Sequence, residues 1–415
     1  MQATTRRVAV LGGNRIPFAR SNTVYAGVSN QEMLTATIDG LAARFSLGGE
    51  RVHEVVAGAV LKHARDFNLT RESVLGSRLA STSPAYDIQQ ACDTGIEAAV
   101  LVANKIALGQ IDVGIAGGTD TASDAPVGLN EDLRQVLMEA RRAKSATERA
   151  KLIGKLRPGQ IVPDIPRNAE PRTGLSMGEH AAITAKEWKV SREDQDELAA
   201  ASHQRLAAAY ERGFFDDLVT PYAGLERDQN LRPDSSAEKL AKLKPVFGEG
   251  EDATMTAGNS TPLSDGAAVV LLSSDEWAAE HSLPVLAHLT HVQTAAVDYV
   301  DGGEGLLMAP VHAVPKLLEK AGLTLQDFDF YEIHEAFASQ VLATLAAWEK
   351  NGLGSIDRAK LNVNGSSLAA GHPFAATGGR IVATLGKLLA EKGSGRGLIS
   401  ICAAGGQGVV AIVEK

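Results

Sequence analysis

The sequence predicts an α/β protein in which helices pack against a sheet. Short apolar runs alternate with helical patterns along most of the chain, and this alternation is typical of strand–helix–strand units. Glycine supplies 41 of the 415 residues while aromatic residues make up only 5%, which favours close packing of helices on a sheet over an aromatic-rich β sandwich. At about 150 residues per domain, the length predicts roughly two to three domains.

The first part of the chain predicts four strands and two helices. The strands are expected at residues 7–11, 55–61, 84–89 and 112–116, and the last should end at Gly117-Gly118. A helix is expected over 30–45 with Asn30 as its N-cap. A second helix is expected over 92–108, because apolar residues recur there close to every 3.6 positions.

The pattern changes between residues 124 and 252, where charged and irregular segments replace the regular alternation. We interpret this segment as an inserted, partly helical lobe that includes a helix over 191–212 capped by Ser191. Beyond it the alternation resumes, with strands expected at 267–272, 285–292, 328–333, 397–402 and 409–413, and helices at 311–321, 336–348 and 378–389. The two flanking parts resemble each other only weakly, so duplication is a hint.

Composition argues against several classes of function. The net charge is −9, and no long run of Lys and Arg supplies the basic face that a general nucleic-acid binder needs. The apolar stretches fall far below the ~20 residues of a membrane span, and residues 1–7 have no apolar signal core behind them, so we expect a cytoplasmic protein without an integral membrane segment. Two cysteines make neither a disulfide framework nor a four-ligand zinc site, and no metal site is predicted.

A cysteine stands where a predicted strand passes into a predicted helix. The segment QQACDTG, residues 89–95, places Cys92 at this junction. The free amides and the dipole of a helix N-terminus stabilise a thiolate and lower its pKa. A nucleophilic thiol also needs a proton acceptor, which is usually a histidine. Alone, the segment is equally compatible with a buried cysteine that opens a packed helix.

Three later segments carry further reactive side chains. The segment NGSSLAAGHP, residues 364–373, presents His372 just before a proline that fixes the backbone. YEIHEAF, residues 331–337, joins a strand to a helix at His334. ICAAGGQG, residues 401–408, puts Cys402 among small residues that let backbone amides approach a ligand. Each of these segments is weak evidence by itself.

Taken in order, the four segments resemble the thiolase family. Its members carry a nucleophilic cysteine early in the chain, then an Asn- or His-Glu-Ala-Phe segment, a Gly-His-Pro segment and a second cysteine near the C-terminus. The same order appears here as Cys92, HEAF at 334–337, GHP at 371–373 and CAAG at 402–405. His334 in place of the commoner asparagine, FAATG after GHP, and CAAGG resemble the fatty-acid oxidation branch that includes trifunctional-enzyme β subunits.

The resemblance implies the thiolase fold, with five layers in the order αβαβα. An N-terminal thiolase domain would comprise residues 1–123 plus 253–283, and a C-terminal thiolase domain residues 284–415. The inserted, mainly helical lobe at 124–252 would bind CoA. Five residues at matching motif positions are candidate CoA contacts, namely Arg232, Met177, Ser260, Thr261 and Phe337.

The resemblance also implies a mechanism for cleaving a 3-ketoacyl-CoA. Cys92 would give its proton to His372 and attack the 3-keto carbon, and Cys402 would protonate the leaving acetyl-CoA enolate. Cys402 or His372 would then deprotonate the incoming CoA, which attacks the acyl-enzyme. One oxyanion site would combine His372 with a water held by His334, and the other the backbone N–H groups of Cys92 and Ala404. No tightly bound cofactor is implied, because coenzyme A is a substrate.

Three departures from the family pattern stand close to these residues. Many thiolases have C-x-S-G at the nucleophile where this chain has Cys92-Asp93-Thr94-Gly95, and Ser366-Ser367 replaces part of a Gly-Gly pair. Ala404 stands where many members have glycine, but an alanine amide donates a hydrogen bond as well as a glycine amide does.

The resemblance further implies a homodimer or a dimer of dimers, and the branch includes members with a hydratase–dehydrogenase α subunit. Three alternatives stay open at this point. Condensation of two acetyl-CoA is the reverse use of the same site. A non-catalytic lipid- or CoA-binding protein would not need both cysteines and His372. A decarboxylating ketoacyl synthase would need a Cys-His-His set, whereas here the third group is Cys402.

Overall fold

The computed structural model describes residues 5–250 and 252–415. Within these ranges ten strands form one mixed sheet, and two further strands pair with each other. The strands are β1 Ala9–Arg15, β2 Ala19–Arg20, β3 Glu54–Ala57, β4 Ala85–Asp87, β5 Val113–Thr121, β6 Pro245–Phe247, β7 Met255–Thr256, β8 Ser264–Ser273, β9 Ala287–Ala296, β10 Phe330–Ile333, β11 Arg396–Ala403 and β12 Gln407–Glu414.

The helices cover both faces of the large sheet. They are α1 Asn30–Arg44, α2 Leu69–Gly76, α3 Thr94–Ala107, α4 Glu131–Arg142, α5 Ala146–Ile153, α6 Met177–Glu187, α7 Arg192–Glu211, α8 Ala237–Leu240, α9 Asp275–Glu280, α10 Pro310–Ala321, α11 Ala338–Lys350, α12 Ser367–Ala370 and α13 Thr377–Lys392. None of them, in the described ranges, is long and apolar enough to cross a membrane.

The strands form two half-sheets with the same topology. The N-terminal half-sheet has the order β3-β5-β8-β1, and the C-terminal half-sheet has the order β10-β11-β12-β9. In each, the first pair of strands is parallel and the next two pairs are antiparallel. The half-sheets join through a short pairing of β1 with β9, which matches Ala9 with His288 and Val10 with Ala287. The weak resemblance between the two parts of the sequence thus corresponds to a topology that occurs twice in the fold.

The two half-sheets and the helices that pack on them form five layers, with clusters of buried side chains between the layers. Leu34 and Leu41 of α1 share an outer cluster with side chains of the N-terminal half-sheet. Leu317 of α10 shares another outer cluster with the C-terminal half-sheet. Ile96 of α3 and Ile381 of α13 belong to a central cluster that takes side chains from both half-sheets. The predicted αβαβα thiolase architecture is confirmed.

The two central helices cross at glycines. Both helices begin with the same dipeptide, Thr94-Gly95 in α3 and Thr377-Gly378 in α13. A β-carbon on Gly378 would lie 2.0 Å from the backbone nitrogen of Ile96, and one on Gly95 would lie 2.5 Å from the carbonyl oxygen of Ala375. No side chain fits at either position, so the helix N-termini and the turns before them meet closely.

Two predicted details are wrong for local reasons. The N-cap of α1 is Ser29 and not Asn30, because Ser29 and Glu32 form a capping box in which each side chain accepts the other residue's backbone N–H. β5 does not end at Gly117-Gly118 but continues to Thr121, because its antiparallel ladder with β8 continues past both glycines.

The segment between β5 and β7 contains α4 to α8 and β6. α7 matches the helix predicted over 191–212, and the Ser191 side chain caps it by accepting the Asp194 N–H. α6 and α7 pack against α11, and α7 also packs against α12. The lobe is therefore mainly helical and contacts the C-terminal part of the fold. The domain boundaries given above stay a prediction.

Candidate active site

Cys92 lies on the turn that precedes α3. The helix begins at Thr94 and not at Cys92 as predicted, and Ala91 before it adopts a left-handed backbone conformation with φ of 47°. The Thr94 hydroxyl accepts the Gln90 N–H at 2.9 Å and donates to the Ala91 carbonyl at 2.7 Å. These two bonds fix the turn and leave Cys92 partly exposed outside the first helical turn.

His372 lies against the Cys92 thiol. Its Nε2 is 3.1 Å from the Cys92 sulfur, and its Nδ1 is 2.6 Å from the Thr377 hydroxyl. The His372 backbone N–H donates to the Ser264 hydroxyl at 3.1 Å. When Nδ1 carries the hydrogen and donates it to Thr377, Nε2 is free to accept the thiol proton. The geometry is that of a nucleophile and its general base.

Both cysteines line one cavity of about 70 Å³, together with His372 and Ala404. Cys402 lies near the end of β11 and is only 1% exposed. The N-terminal half of the fold contributes Cys92, and the C-terminal half contributes the other three residues. A placement of the two cysteines in distant lobes would have removed the basis for the thiolase interpretation, and the structure brings them together instead.

His334 stands beside His372, with 4.1 Å between the centroids of the two rings. Its Nδ1 is 2.8 Å from the Ser367 hydroxyl, and its Nε2 is buried with no hydrogen-bond partner among the described residues. One ligand atom from each of Cys92, His334 and His372 lies within 4.8 Å of the others. The predicted catalytic residues are thus gathered in one place.

Glu335 holds the loop that carries His334. One of its carboxylate oxygens accepts hydrogen bonds from the Ser202 hydroxyl at 2.7 Å and the Leu368 N–H at 3.1 Å. The other accepts from the Asn362 side chain at 2.7 Å. Since this fully buried carboxylate connects β10 to α7 and α12, the acidic residue of the HEAF segment positions its histidine neighbour.

The pKa of the Cys92 thiol is raised, whereas the sequence predicted that it would be lowered. Burial raises the pKa of Cys92 to about 12, and the neighbouring Asp93 acts in the same direction. Hydrogen bonding from the backbones of Ala404 and Cys92 lowers it, but by less. The predicted lowering of this pKa is therefore wrong, because loss of hydration around the sulfur outweighs the effect of the helix N-terminus. The thiol is protonated at rest.

The other three groups are also uncharged at neutral pH. Burial lowers the pKa of His372 to about 3, with a further lowering by the Arg380 charge. Burial, His372 and Arg380 hold the pKa of His334 well below its usual value. Burial raises the pKa of Cys402 well above its usual value. The site therefore contains two imidazoles able to accept a proton and two thiols able to give one.

Three of the five predicted CoA contacts line the same cavity, namely Met177, Thr261 and Phe337. Ser260 and Arg232 are not among the described residues that line it. Ser260 is 7% exposed and forms a backbone bridge with Phe337, so it lies just behind the wall. The Arg232 backbone donates to His203 in the inserted segment, and the structure gives no contact between Arg232 and the cavity.

Sequence reasoning missed the residues that hold the catalytic side chains in position. Ser264 supports the His372 backbone, and Thr377 and Ser367 bind the two imidazoles. Ser367 and Thr377 lie in segments quoted above, and Ser264 lies three residues before a predicted strand, but nothing in the sequence indicated that these side chains contact the reactive residues. Further wall residues that were not predicted are Asn168, Pro262, Leu263, Leu307 and Phe374.

The five-layered fold and a cavity shared by two cysteines and a histidine define the class of protein, an acyltransferase with a cysteine at its site. Comparison with known proteins makes this specific. Family models for the thiolase N-terminal domain and the thiolase C-terminal domain match residues 8–276 and 283–415. The chain belongs to the thiolase family.

Individual relatives agree with this assignment. A 3-ketoacyl-CoA thiolase of Yersinia pestis (strain Pestoides F) is 39% identical over 425 residues, which cover 98% of this chain and 97% of that protein. The acetyl-CoA acetyltransferase of Bacillus anthracis has a similar structure, with a TM-score of 0.84 and 31% identity. Human mitochondrial 3-ketoacyl-CoA thiolase also gives a TM-score of 0.84, at 29% identity. Both structural matches cover 100% of each chain.

Proposed function

We propose that this protein catalyses the CoA-dependent thiolytic cleavage of 3-ketoacyl-CoA to acetyl-CoA and a shortened acyl-CoA. The observation that supports this most directly is the cavity in which His372 Nε2 lies 3.1 Å from the Cys92 sulfur while Cys402 lines the same wall. A nucleophile, a base and a second proton donor are the groups that the two half-reactions need.

In the first half-reaction, His372 Nε2 takes the Cys92 proton as the sulfur attacks the 3-keto carbon. The C2–C3 bond breaks, and its electron pair leaves with the acetyl-CoA enolate. Cys402 gives its proton to C2 of the enolate, which releases acetyl-CoA. At the end of this step the acyl group is a thioester on Cys92, His372 is protonated and Cys402 is a thiolate.

In the second half-reaction, the Cys402 thiolate takes the thiol proton of CoA. The CoA sulfur attacks the thioester and takes the acyl group, and the expelled Cys92 sulfur recovers its proton from His372. Every proton is returned to the group that held it at the start. Because a covalent intermediate separates the two products, the kinetics should be ping-pong.

Negative charge develops on two oxygens during these steps. We assign the oxygen of the acyl group being transferred to the backbone N–H groups of Cys92 and Ala404, both of which already favour the anionic form of the Cys92 sulfur. We assign the enolate oxygen to His372 and a water held by His334. A preorganised donor of this kind contributes about 3 kcal/mol to transition-state stabilisation.

Coenzyme A in this proposal is a substrate and not a resident cofactor. Its pantetheine end would enter beside Met177, Thr261 and Phe337, which line the cavity. Ser260 behind the wall and Arg232 in the inserted lobe stay proposed contacts, with the Arg232 guanidinium suited to a phosphate. We further propose a cytoplasmic homodimer or homotetramer acting in fatty-acid β-oxidation, and assembly with a hydratase–dehydrogenase α subunit is a testable extension.

The test is a thiolysis assay with 3-ketoacyl-CoA substrates of increasing chain length. Loss of the enolate absorbance that depends on added CoA, with parallel lines in a double-reciprocal plot, is the expected result. Cys92→Ser serves as the matched control for non-enzymatic loss. Condensation of acetyl-CoA without measurable thiolysis of any longer substrate would instead support the biosynthetic alternative. Absence of both reactions would contradict the proposal.

A further inference from the structure

The Ser367 hydroxyl lies between His334 and a buried arginine. It is 2.8 Å from His334 Nδ1, and it accepts a hydrogen bond from Arg380 Nη2 at 2.9 Å. Ser367 is fully buried and Arg380 is 5% exposed. Among the described residues, these are the only two hydrogen-bond partners of the hydroxyl. A guanidinium has donors but no acceptor, so the direction of the Arg380 bond is fixed.

The Ser367 hydroxyl has one hydrogen to donate, and Arg380 has no acceptor for it. His334 Nδ1 is the only acceptor that the described residues offer to this hydrogen, and an Nδ1–H that donated to Ser367 would leave the buried hydroxyl hydrogen without a partner. A neutral imidazole that accepts at Nδ1 carries its hydrogen at Nε2. His334 is neutral because burial and the nearby Arg380 charge keep its pKa well below the usual value.

The resulting tautomer is opposite to that of the neighbouring histidine. His372 carries its hydrogen at Nδ1, toward Thr377, and accepts at Nε2, toward Cys92. His334 Nε2 has no partner in the described structure, although it is buried and within 4.8 Å of this cluster. Its N–H is therefore left to donate to whatever oxygen enters the site.

We propose that Arg380 and Ser367 are positioning residues that fix His334 as the Nε2–H tautomer and thereby make it a hydrogen-bond donor in the oxyanion site. This inference rests on the proposed function, in which His334 holds the oxyanion water. An asparagine at position 334 has an amide donor of its own and would need no such control.

The chain offers a matched control for a mutational test. Ser366 is the preceding residue and its hydroxyl also accepts from Arg380, at 3.3 Å, but among the described residues it makes no hydrogen bond to the His334 ring. Ser367→Ala should lower kcat by about 10- to 100-fold, the usual effect of removing a group that orients a site residue. Ser366→Ala should change it far less, and Ser367→Thr, which keeps a hydroxyl, should retain most of the activity.

A double-mutant cycle separates this role from a structural one. In a His334→Asn background, Ser367→Ala should cost no more than roughly twofold in kcat, because there is no tautomer left to fix. An equal loss in both backgrounds, or an equal loss from Ser366→Ala, would overturn the proposal.

A spectroscopic readout does not depend on activity. In protein labelled with ¹⁵N-histidine, long-range ¹H–¹⁵N spectra should show His334 protonated at Nε2 in the wild type, with the signal assigned from its loss in His334→Asn. A wild-type His334 signal for Nδ1–H would overturn the inference whether or not the Ser367 variants fold. The expected tautomer in a protein without thiolase activity would instead refute the proposed function alone.

Discussion

The two half-sheets lead into their central helices through equivalent threonines with different tasks. Thr94 binds the backbone groups of Gln90 and Ala91, just before Cys92, and so fixes the turn of the nucleophile. Thr377 binds the imidazole of His372 and so fixes the orientation of the base. One copy of the repeat thus positions a main-chain turn and the other positions a side chain, and the helix crossing brings the two together.

Equivalent positions in the two half-sheets can also be matched along the strands. Gly114 on β5 packs on Val102, and Gly397 on β11 packs on Leu385, which occupy the same position in α3 and α13. Gly114 and Gly397 therefore occupy equivalent positions in the two half-sheets. Asp120 stands as far beyond Gly114 as Ala403 stands beyond Gly397, so these two residues also correspond. Ala403 directly follows the second cysteine.

Asp120 does not take part in the proposed chemistry. Its carboxylate accepts the N–H groups of Val60 and Leu61 and that of Ala375, three residues after His372. The N-terminal half therefore supplies the nucleophile and a clamp on the turn that carries the base. The C-terminal half supplies both imidazoles and the second thiol. Two halves with the same topology can contribute different groups to one reaction, because the shared topology requires only that their strands and helices pack alike.

The strongest test of this division compares the two cysteines. Cys92→Ser should lower thiolysis by at least ~10⁴-fold, because an alcohol is a poor replacement for a thiol nucleophile. Cys402→Ser should turn over slowly but should still trap an acyl group on Cys92 when incubated with a 3-ketoacyl-CoA. Mass spectrometry of the digested protein identifies the modified peptide. An acyl group on the Cys402 peptide of the wild type, with Cys92 unmodified, would reverse the assignment.

The next largest effect on kcat is expected from substitutions of His334, which lies in the C-terminal half. His334→Ala should lower kcat by ~10²–10³-fold, the usual loss for one oxyanion donor. His334→Asn should keep measurable thiolysis, because an amide N–H can hold the same water. Steady-state kinetics on both variants give the answer. Complete and equal loss in the two variants would indicate that His334 transfers a proton itself.

Much of the fold and the identity of the reactive residues could be predicted from the sequence. The alternation of apolar runs located most strands and helices, since a buried strand or helix face needs a regular pattern of apolar residues. Cys92, His334, His372 and Cys402 stand in four segments that are weak evidence singly, and they were identified because the order of these segments resembles that of the thiolase family.

Contacts between distant segments could not be predicted in the same way. The hydrogen bond from Arg380 to Ser367 and that from the His372 N–H to Ser264 depend on how helices and loops pack, which local patterns do not record. The pKa of Cys92 was predicted in the wrong direction for a related reason. A helix N-terminus is visible in a sequence, whereas the loss of water around a thiol becomes visible only in the folded chain.

The two threonines provide a third test, with smaller effects. Thr377→Val should lower kcat by about 10-fold, because His372 loses the partner that fixes its tautomer. It should also lower the free energy of unfolding by about 1–3 kcal/mol, because the buried Nδ1–H is left without an acceptor. Thr94→Val should lower the free energy of unfolding by about 1–2 kcal/mol, because it removes two hydrogen bonds of the turn.

Denaturant unfolding and steady-state kinetics measure the two effects separately. Thr384→Val is the matched control, since among the described residues its hydroxyl bonds only to the Arg380 carbonyl of its own helix. If Thr94→Val and Thr377→Val alter stability and kcat in the same proportion, the two threonines do not have different tasks.

The smallest effect on activity is expected from substitution of Glu332, a carboxyl group at a position that is apolar in the other half-sheet. Glu332 on β10 occupies the position of the apolar Val56 on β3, by the register of each strand with its neighbour. Glu332 is fully buried, and both of its carboxylate oxygens lack a hydrogen-bond partner among the described residues. Burial raises its pKa from 4.5 to about 8, although the Arg380 charge opposes this shift.

The sign of the pH dependence follows from that shift. The folded protein favours the neutral acid, so this group's contribution to stability is fully present below pH 4.5 and is lost as the pH rises to about 8. Glu332→Gln has no proton to lose, and its free energy of unfolding should fall less than that of the wild type between pH 5 and about 8. Urea unfolding at a series of pH values measures both curves. Because Glu332 does not contact the reacting groups, kcat at neutral pH should change little, and parallel stability curves for the two proteins would show that the carboxyl is already ionised in the fold.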